Sequence, residues 1–145
     1  MNRFGMNAAL KSPRDTAIDE DAPVLHDGVI AALNRSQAVI QFDLDGRILD
    51  ANENFCRALG YAPEEIRGQH HSMFVDPAQR HSHEYRAFWE KLGRGEYDAG
   101  QYKRIAKGGR EIWIQASYNP ILDASGRPVR VVKLATDITA QRNAF

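Results

Sequence analysis

Two hydrophobic periods share this chain. From Ala38, the run AVIQFDLDGRILDAN alternates apolar and polar positions on both sides of Asp45-Gly46. That is the pattern of two short strands joined by a tight turn whose residues tolerate positive φ. Asn52 then stands where it can cap a helix over NENFCRALGY, with Phe55, Ala58 and Leu59 facing inward and Gly60 as its stop. APEEIRG predicts a second short helix, with Pro63 in its first turn and Gly68 at its end. HHSMFV has room for one turn. After Pro77 the spacing predicts a longer helix over AQRHSHEYRAFWEKLGRG, because Tyr85, Phe88, Trp89 and Leu92 fall at i, i+3, i+4 and i+7. Period two returns in YDAGQYKRIAK and again in EIWIQASYNPIL. In the latter, Ile112, Ile114, Ala116 and Tyr118 share one face, and Trp113, Gln115, Ser117 and Asn119 share the other. Pro120 lacks an N–H, so an edge or a bulge is expected there. After the turn DASGRP, VRVVKLATDIT is the last strand.

Upstream, HDGVIAALNRS predicts a helix over 26–36, capped by Asp27, with Val29, Ile30 and Leu33 on one face. That face needs a partner, either the rest of this domain or a second copy of it. Residues 1–25 read as a flexible or weakly helical leader, 37–139 as the folded domain, and 140–145 as the start of a C-terminal output linker. Strands first, helices next and strands last, joined by short hairpins, predict an α+β fold: an antiparallel sheet with helices over one face.

Composition narrows the function. A length of 145 residues suits one domain, and 19 basic residues against 19 acidic ones leave no electrostatic footprint for nucleic acid or an anionic membrane. The lone Cys56 excludes an internal disulfide and fits a reducing compartment. No apolar run approaches the roughly 20 residues that span a bilayer, so a cytoplasmic location is expected. Glu53, Asp76, Glu84 and Glu111 are scattered, and no nucleophile–base order or phosphate loop stands out, so no enzyme is expected. Four of the five histidines, His70, His71, His81 and His83, crowd one stretch. Placed on one helix, His81 and His83 would diverge by about 200° and could not both face the core, and a tetrahedral metal site would need the loop 72–80 to fold the two histidine pairs together.

The runs FDLDGRILDANENFCRALGYAPEEIRGQHHSMF and KGGREIWIQASYNPILDASGRPVRVVKLATDIT resemble the two halves of a PAS sensor domain over residues 37–139. Gly68, Gln69, His71, Met73, Trp89, Lys107, Gly109, Trp113, Ala116 and Pro120 match a pattern seen in bacterial soluble chemoreceptors and aerotaxis receptors. The resemblance implies a five-stranded antiparallel sheet with a ligand pocket between sheet and helices, and signals carried by flanking helices. It implies a noncovalent FAD, with Trp89, His71 and Asn52 at positions that matter to it. On that reading Trp113 supplies a second wall, Gln115, Ser117 and Asn119 meet the ring edge, and Arg104 or Lys103 meets the pyrophosphate. Haem b is an alternative, with His71 the axial candidate, and a cofactor-free dimerisation or interaction module is another. The blue-light flavin–cysteine chemistry is not expected, because GQHHSMF has no cysteine. Expected partners are a second copy through the N-terminal helix and a downstream chemoreceptor or kinase module.

Overall fold

A computed structural model of the chain describes residues 22–144. Contacts divide the chain into two units, one ending at Ala32 and the other starting at Leu33. Of the leader expected from the sequence, residues 1–21 lie outside the described residues. Helix α1, Ala22–Ser36, starts earlier than His26. Its apolar side chains Val24, Leu25, Val29, Ile30 and Leu33 are all exposed.

The second unit is built on a five-stranded antiparallel sheet in the order β2-β1-β5-β4-β3. The strands are β1 Ala38–Phe42, β2 Ile48–Ala51, β3 Asp98–Ile105, β4 Glu111–Leu122 and β5 Pro128–Asp137. The β1–β2 turn is locked by Asp43, whose Oδ1 accepts from the Asp45 and Arg47 amides at 2.9 Å each, while Gly46 takes φ +90°. Pro120 sits past the end of the β3 pairing, where β4 has β5 alone as its partner, and a bulge follows between Ile121 and Leu122. The missing N–H therefore faces an unpaired edge.

Helix α2, Glu53–Leu59, is capped by Asn52 and closed by Gly60 in the left-handed region. Helix α3 spans Pro63–Ile66, and single 3-10 turns follow at His71–Phe74 and Pro77–Gln79. The long helix expected after Pro77 is interrupted. Ser82 is extended, its hydroxyl accepts from the Tyr85 amide, and α4 runs from there over His83–Gly93. His81 thus lies outside the helix that carries His83. A last helix, α5, covers Thr139–Asn143. The core lies between the inner face of the sheet and the segment from α2 to α4. Phe42, Phe55, Phe74, Leu92, Ile112, Tyr118 and Val131 are all fully buried there.

Candidate functional site

Alternation along β4 decides which side chains reach the interior. Ile112, Ile114, Ala116 and Tyr118 are buried, so the residues between them emerge on the opposite face of the sheet. Trp113, Gln115, Ser117 and Asn119 are therefore outside, which corrects their expected place as ligand contacts. Trp113 stacks under the Arg142 guanidinium at 3.6 Å, Gln115 donates to the Gly100 carbonyl, and Asn119 donates to Ser117 Oγ and the Val132 carbonyl. Asn52 is a fastener. Its Oδ1 accepts from the Val39 and Phe55 amides, and its Nδ2 donates to the Gln37 carbonyl.

Three of the expected residues do meet inside: His71, Arg104 and Trp89. His71 is fully buried, with Nδ1 at 2.6 Å from the Tyr85 hydroxyl and Nε2 at 3.0 Å from the Tyr118 hydroxyl. Arg104 donates to that same Tyr118 oxygen at 2.9 Å. Both imidazole nitrogens and the Tyr118 hydroxyl are satisfied when Arg104 donates to Tyr118, Tyr118 to His71 Nε2, and His71 Nδ1–H to Tyr85. Burial, with the Arg104 and Lys133 charges nearby, holds the imidazole pKa well below its ordinary value, so it is neutral at pH 7. Burial pushes Tyr85 up to about 12 and raises Tyr118 as well, so both phenols keep their protons.

Sequence reasoning missed Lys133. It is 1% exposed, on the inner face of β5, with its Nζ 4.9 Å from the Tyr118 ring centre and 5.7 Å from that of Phe55. No ion pair joins Lys133 or Arg104 to a carboxylate among the described residues. Arg104 Nε stays without a hydrogen-bond partner among those residues, and Trp89 Nε1 lies close to the Tyr85 hydroxyl. The only sequence signal for Lys133 is period two in VRVVKLATD, which puts it in phase with Val131 and Ala135. Val132 and Leu134 make the other phase equally apolar.

Room inside is limited. The void bordered by Phe55, Phe74, Arg104, Ile114, Lys133 and Ala135 measures about 10 Å³, the space of about one water. Trp89 packs edge-on against Phe42 and His71. Neither an isoalloxazine ring nor a porphyrin fits this packing. Both His71 nitrogens are also hydrogen-bonded, which leaves none free for an iron. Larger clefts lie outside, on either side of α4. One of 510 Å³ borders Leu44, His70, Arg80 and Trp89, and one of 380 Å³ borders Asp76, Tyr85, Phe88 and Arg104. His70 is spoken for by the fold: its Nδ1 accepts from the Ser72 amide, and its Nε2–H donates to the Asp45 carbonyl at 2.8 Å. No group of three or more His, Cys, Asp or Glu side chains converges on a metal position among the described residues. No helix among them is long and apolar enough to cross a membrane.

A family model described as PAS fold matches residues 48–135. Over 111 residues the chain is 51% identical to the biofilm dispersion protein BdlA of Pseudomonas aeruginosa, a match covering 77% of this chain and 27% of that protein. Over 80 residues it is 31% identical to the aerotaxis receptor of Escherichia coli, covering 55% of this chain and 16% of the receptor. The chain thus spans about a quarter or less of the length of these two relatives. The crystal structure of a PAS domain from Colwellia psychrerythraea superposes with a TM-score of 0.70 at 23% identity, covering 80% of this chain and 98% of that one. With the sheet order, the flanking helices and the family match in agreement, the chain belongs to the PAS fold family.

Proposed function

We propose that this chain is a cytoplasmic sensory module, not an enzyme, that admits a small molecule to the interior behind α4 and relays its binding to a signalling partner. One observation carries the reading: Arg104 borders both the interior void and the cleft beside α4. It stands between solvent and the Tyr118–His71–Tyr85 chain. Trp89 and Leu92 of α4 are buried and Tyr85 and Phe88 are half-buried against the core, so this helix is the cover of the interior. A core kept for shape alone would be more stable with apolar groups in place of Lys133 and Arg104. Similarity to a protein named an aerotaxis receptor agrees with a sensory role.

The relay runs to both ends of the domain. Asn52 and Asn54 hold the last carbonyls of α1, with Asn52 Nδ2 donating to Asn34 and Asn54 Nδ2 to Asn34 and Arg35. Thr139 Oγ1 accepts from the Trp113 amide, and Arg142 covers the Trp113 ring, tying α5 to the outer face of β4. A ligand that favours one position of α4 shifts these ends by a coupling on the order of 1–3 kcal/mol. The exposed apolar face of α1 pairs with a second copy, and a chemoreceptor or kinase module receives the signal.

FAD and haem, the occupants implied by resemblance, require an interior wider than this one. Purified protein is therefore expected to be colourless, and a small molecule admitted when α4 opens is expected to raise the thermal midpoint and to add its mass in a non-denaturing mass spectrum. A yellow or red protein contradicts the packing. A bare mass, together with no thermal shift across a small-metabolite panel, contradicts ligand sensing. For α1, Ile30→Glu is expected to turn a dimer into a monomer by light scattering, and an unchanged dimer rejects that partner.

A further inference from the structure

We infer that the Tyr85 hydroxyl is a ligand-reading donor, aimed into a cleft beside α4 at the carbonyl oxygen of a neutral, flat compound. The ligand class rests on the sensory reading above; the direction of the donor rests on the polar thread alone. Arginine can only donate, and Arg104 Nη2 does so to the Tyr118 oxygen at 2.9 Å. Tyr118 is fully buried, so its own hydrogen needs an acceptor inside, and His71 Nε2 at 3.0 Å is the described partner left for it. That puts the imidazole hydrogen on Nδ1, which donates it to the Tyr85 oxygen at 2.6 Å. Trp89 Nε1 lies close to the same oxygen. With two N–H groups turned on that oxygen, the Tyr85 hydrogen points away from both, and no acceptor among the described residues receives it.

Position chooses the cleft. Tyr85 is half-buried and borders both clefts that flank α4. Trp89 borders only the 510 Å³ one, so a hydrogen turned away from Trp89 Nε1 faces the 380 Å³ one. That cleft has aromatic walls in Phe88 and Tyr102, which suit a flat body. Its charges balance: Asp76 and Glu84 stand against Lys103 and Arg104, and Lys103 is paired with Asp76 at 3.4 Å. A balanced rim gives no net attraction to an anion or a cation, so the compound that gains most from one phenol O–H is a neutral acceptor. Burial keeps Tyr85 protonated, with its pKa pushed up to about 12, so the donor is present throughout the physiological range.

Acetophenone and ethylbenzene, which differ only in the carbonyl, test this on the full chain. In wild type, acetophenone is expected to shift the Phe88 and Tyr102 NMR signals with an affinity at least about threefold above that of ethylbenzene, the worth of one neutral hydrogen bond. In Tyr85→Phe the two compounds are expected to bind alike. Without any variant, a proton–nitrogen correlation spectrum of the unliganded chain is expected to place the His71 hydrogen on Nδ1. A hydrogen on Nε2, equal affinities in wild type, or an advantage for acetophenone that survives in Tyr85→Phe each overturn the donor assignment. A thermal shift from a metabolite without a carbonyl, with none from acetophenone, overturns the ligand class and leaves sensing intact. No shift from acetophenone or from any compound of the panel sinks both.

Discussion

His71 and Tyr118 are 47 residues apart in the chain and 3.0 Å apart in the core. One comes from a 3-10 turn beneath α4 and the other from the central part of β4. Their contact therefore joins the movable cover to the sheet. With Arg104 on one side and Tyr85 on the other, the pair forms a polar thread through an aromatic interior.

The thread makes stability depend on pH in a definite direction. Both His71 and Lys133 have folded pKa values well below their ordinary 6.5 and 10.5. Below each ordinary value, the unfolded chain holds a proton that the folded chain refuses, so stability falls as pH falls. Each group contributes a slope of up to about 1.4 kcal/mol per pH unit in its window. Lys133 acts from 10.5 downward, and His71 adds to it only below 6.5. Lys133→Met should be more stable than wild type at pH 7, with the gap shrinking as pH rises toward 10.5. Urea unfolding at pH 6, 7.5 and 9 checks this; a gap that widens with pH contradicts it.

Asn52 should behave as a structural residue. Asn52→Ala orphans the Val39 and Phe55 amides, while the Gln37 carbonyl keeps its bond from Asn54 Nδ2. The expected loss is about 2–3 kcal/mol, a helix cap plus buried hydrogen bonds. It should be read as a lower urea midpoint with an unchanged slope.

Gly46 supports Trp89 from the β1–β2 turn. A Cβ added there would meet His70 Nε2 at 2.7 Å and Trp89 Cε2 at 3.0 Å, at a φ of +90°. Gly46→Ala should cost at least about 1–2 kcal/mol from the backbone alone. It should also shift the Trp89 emission maximum, which a purely local turn defect would leave in place.

Trp113 serves the exit from the domain, not the interior. Trp113→Ala removes the surface under Arg142, a contact worth about 0.5–2 kcal/mol. Amide exchange in α5 should accelerate while the interior aromatic signals in an NMR spectrum stay put. Movement of the Tyr118 and His71 signals would return Trp113 to the pocket.

The strands, the β1–β2 turn and the caps at Asn52 and Gly60 were legible because each depends on local period or local backbone chemistry. The inward face of β4 was legible for the same reason. Its consequence was harder to apply, since Gln115, Ser117 and Asn119 look like ligand partners until the period is enforced against them. The break at Ser82 was hidden by an apolar stripe that begins only at Tyr85. Lys133 was out of reach: both faces of β5 are apolar, and a lysine in such a strand ordinarily points to solvent. What turns it inward is the sheet's three-dimensional order, with β5 in the middle.

Native-state hydrogen exchange along α4 tests whether the helix opens over the polar thread. The amides of Phe88, Trp89 and Leu92 should exchange through an opening that costs clearly less than global unfolding and depends weakly on denaturant, while those of Tyr118 and Val131 wait for the whole domain to unfold. Exchange of α4 only together with β4 and β5, at one common free energy, would mean a fixed cover and a closed interior, and the sensory reading would fall with it.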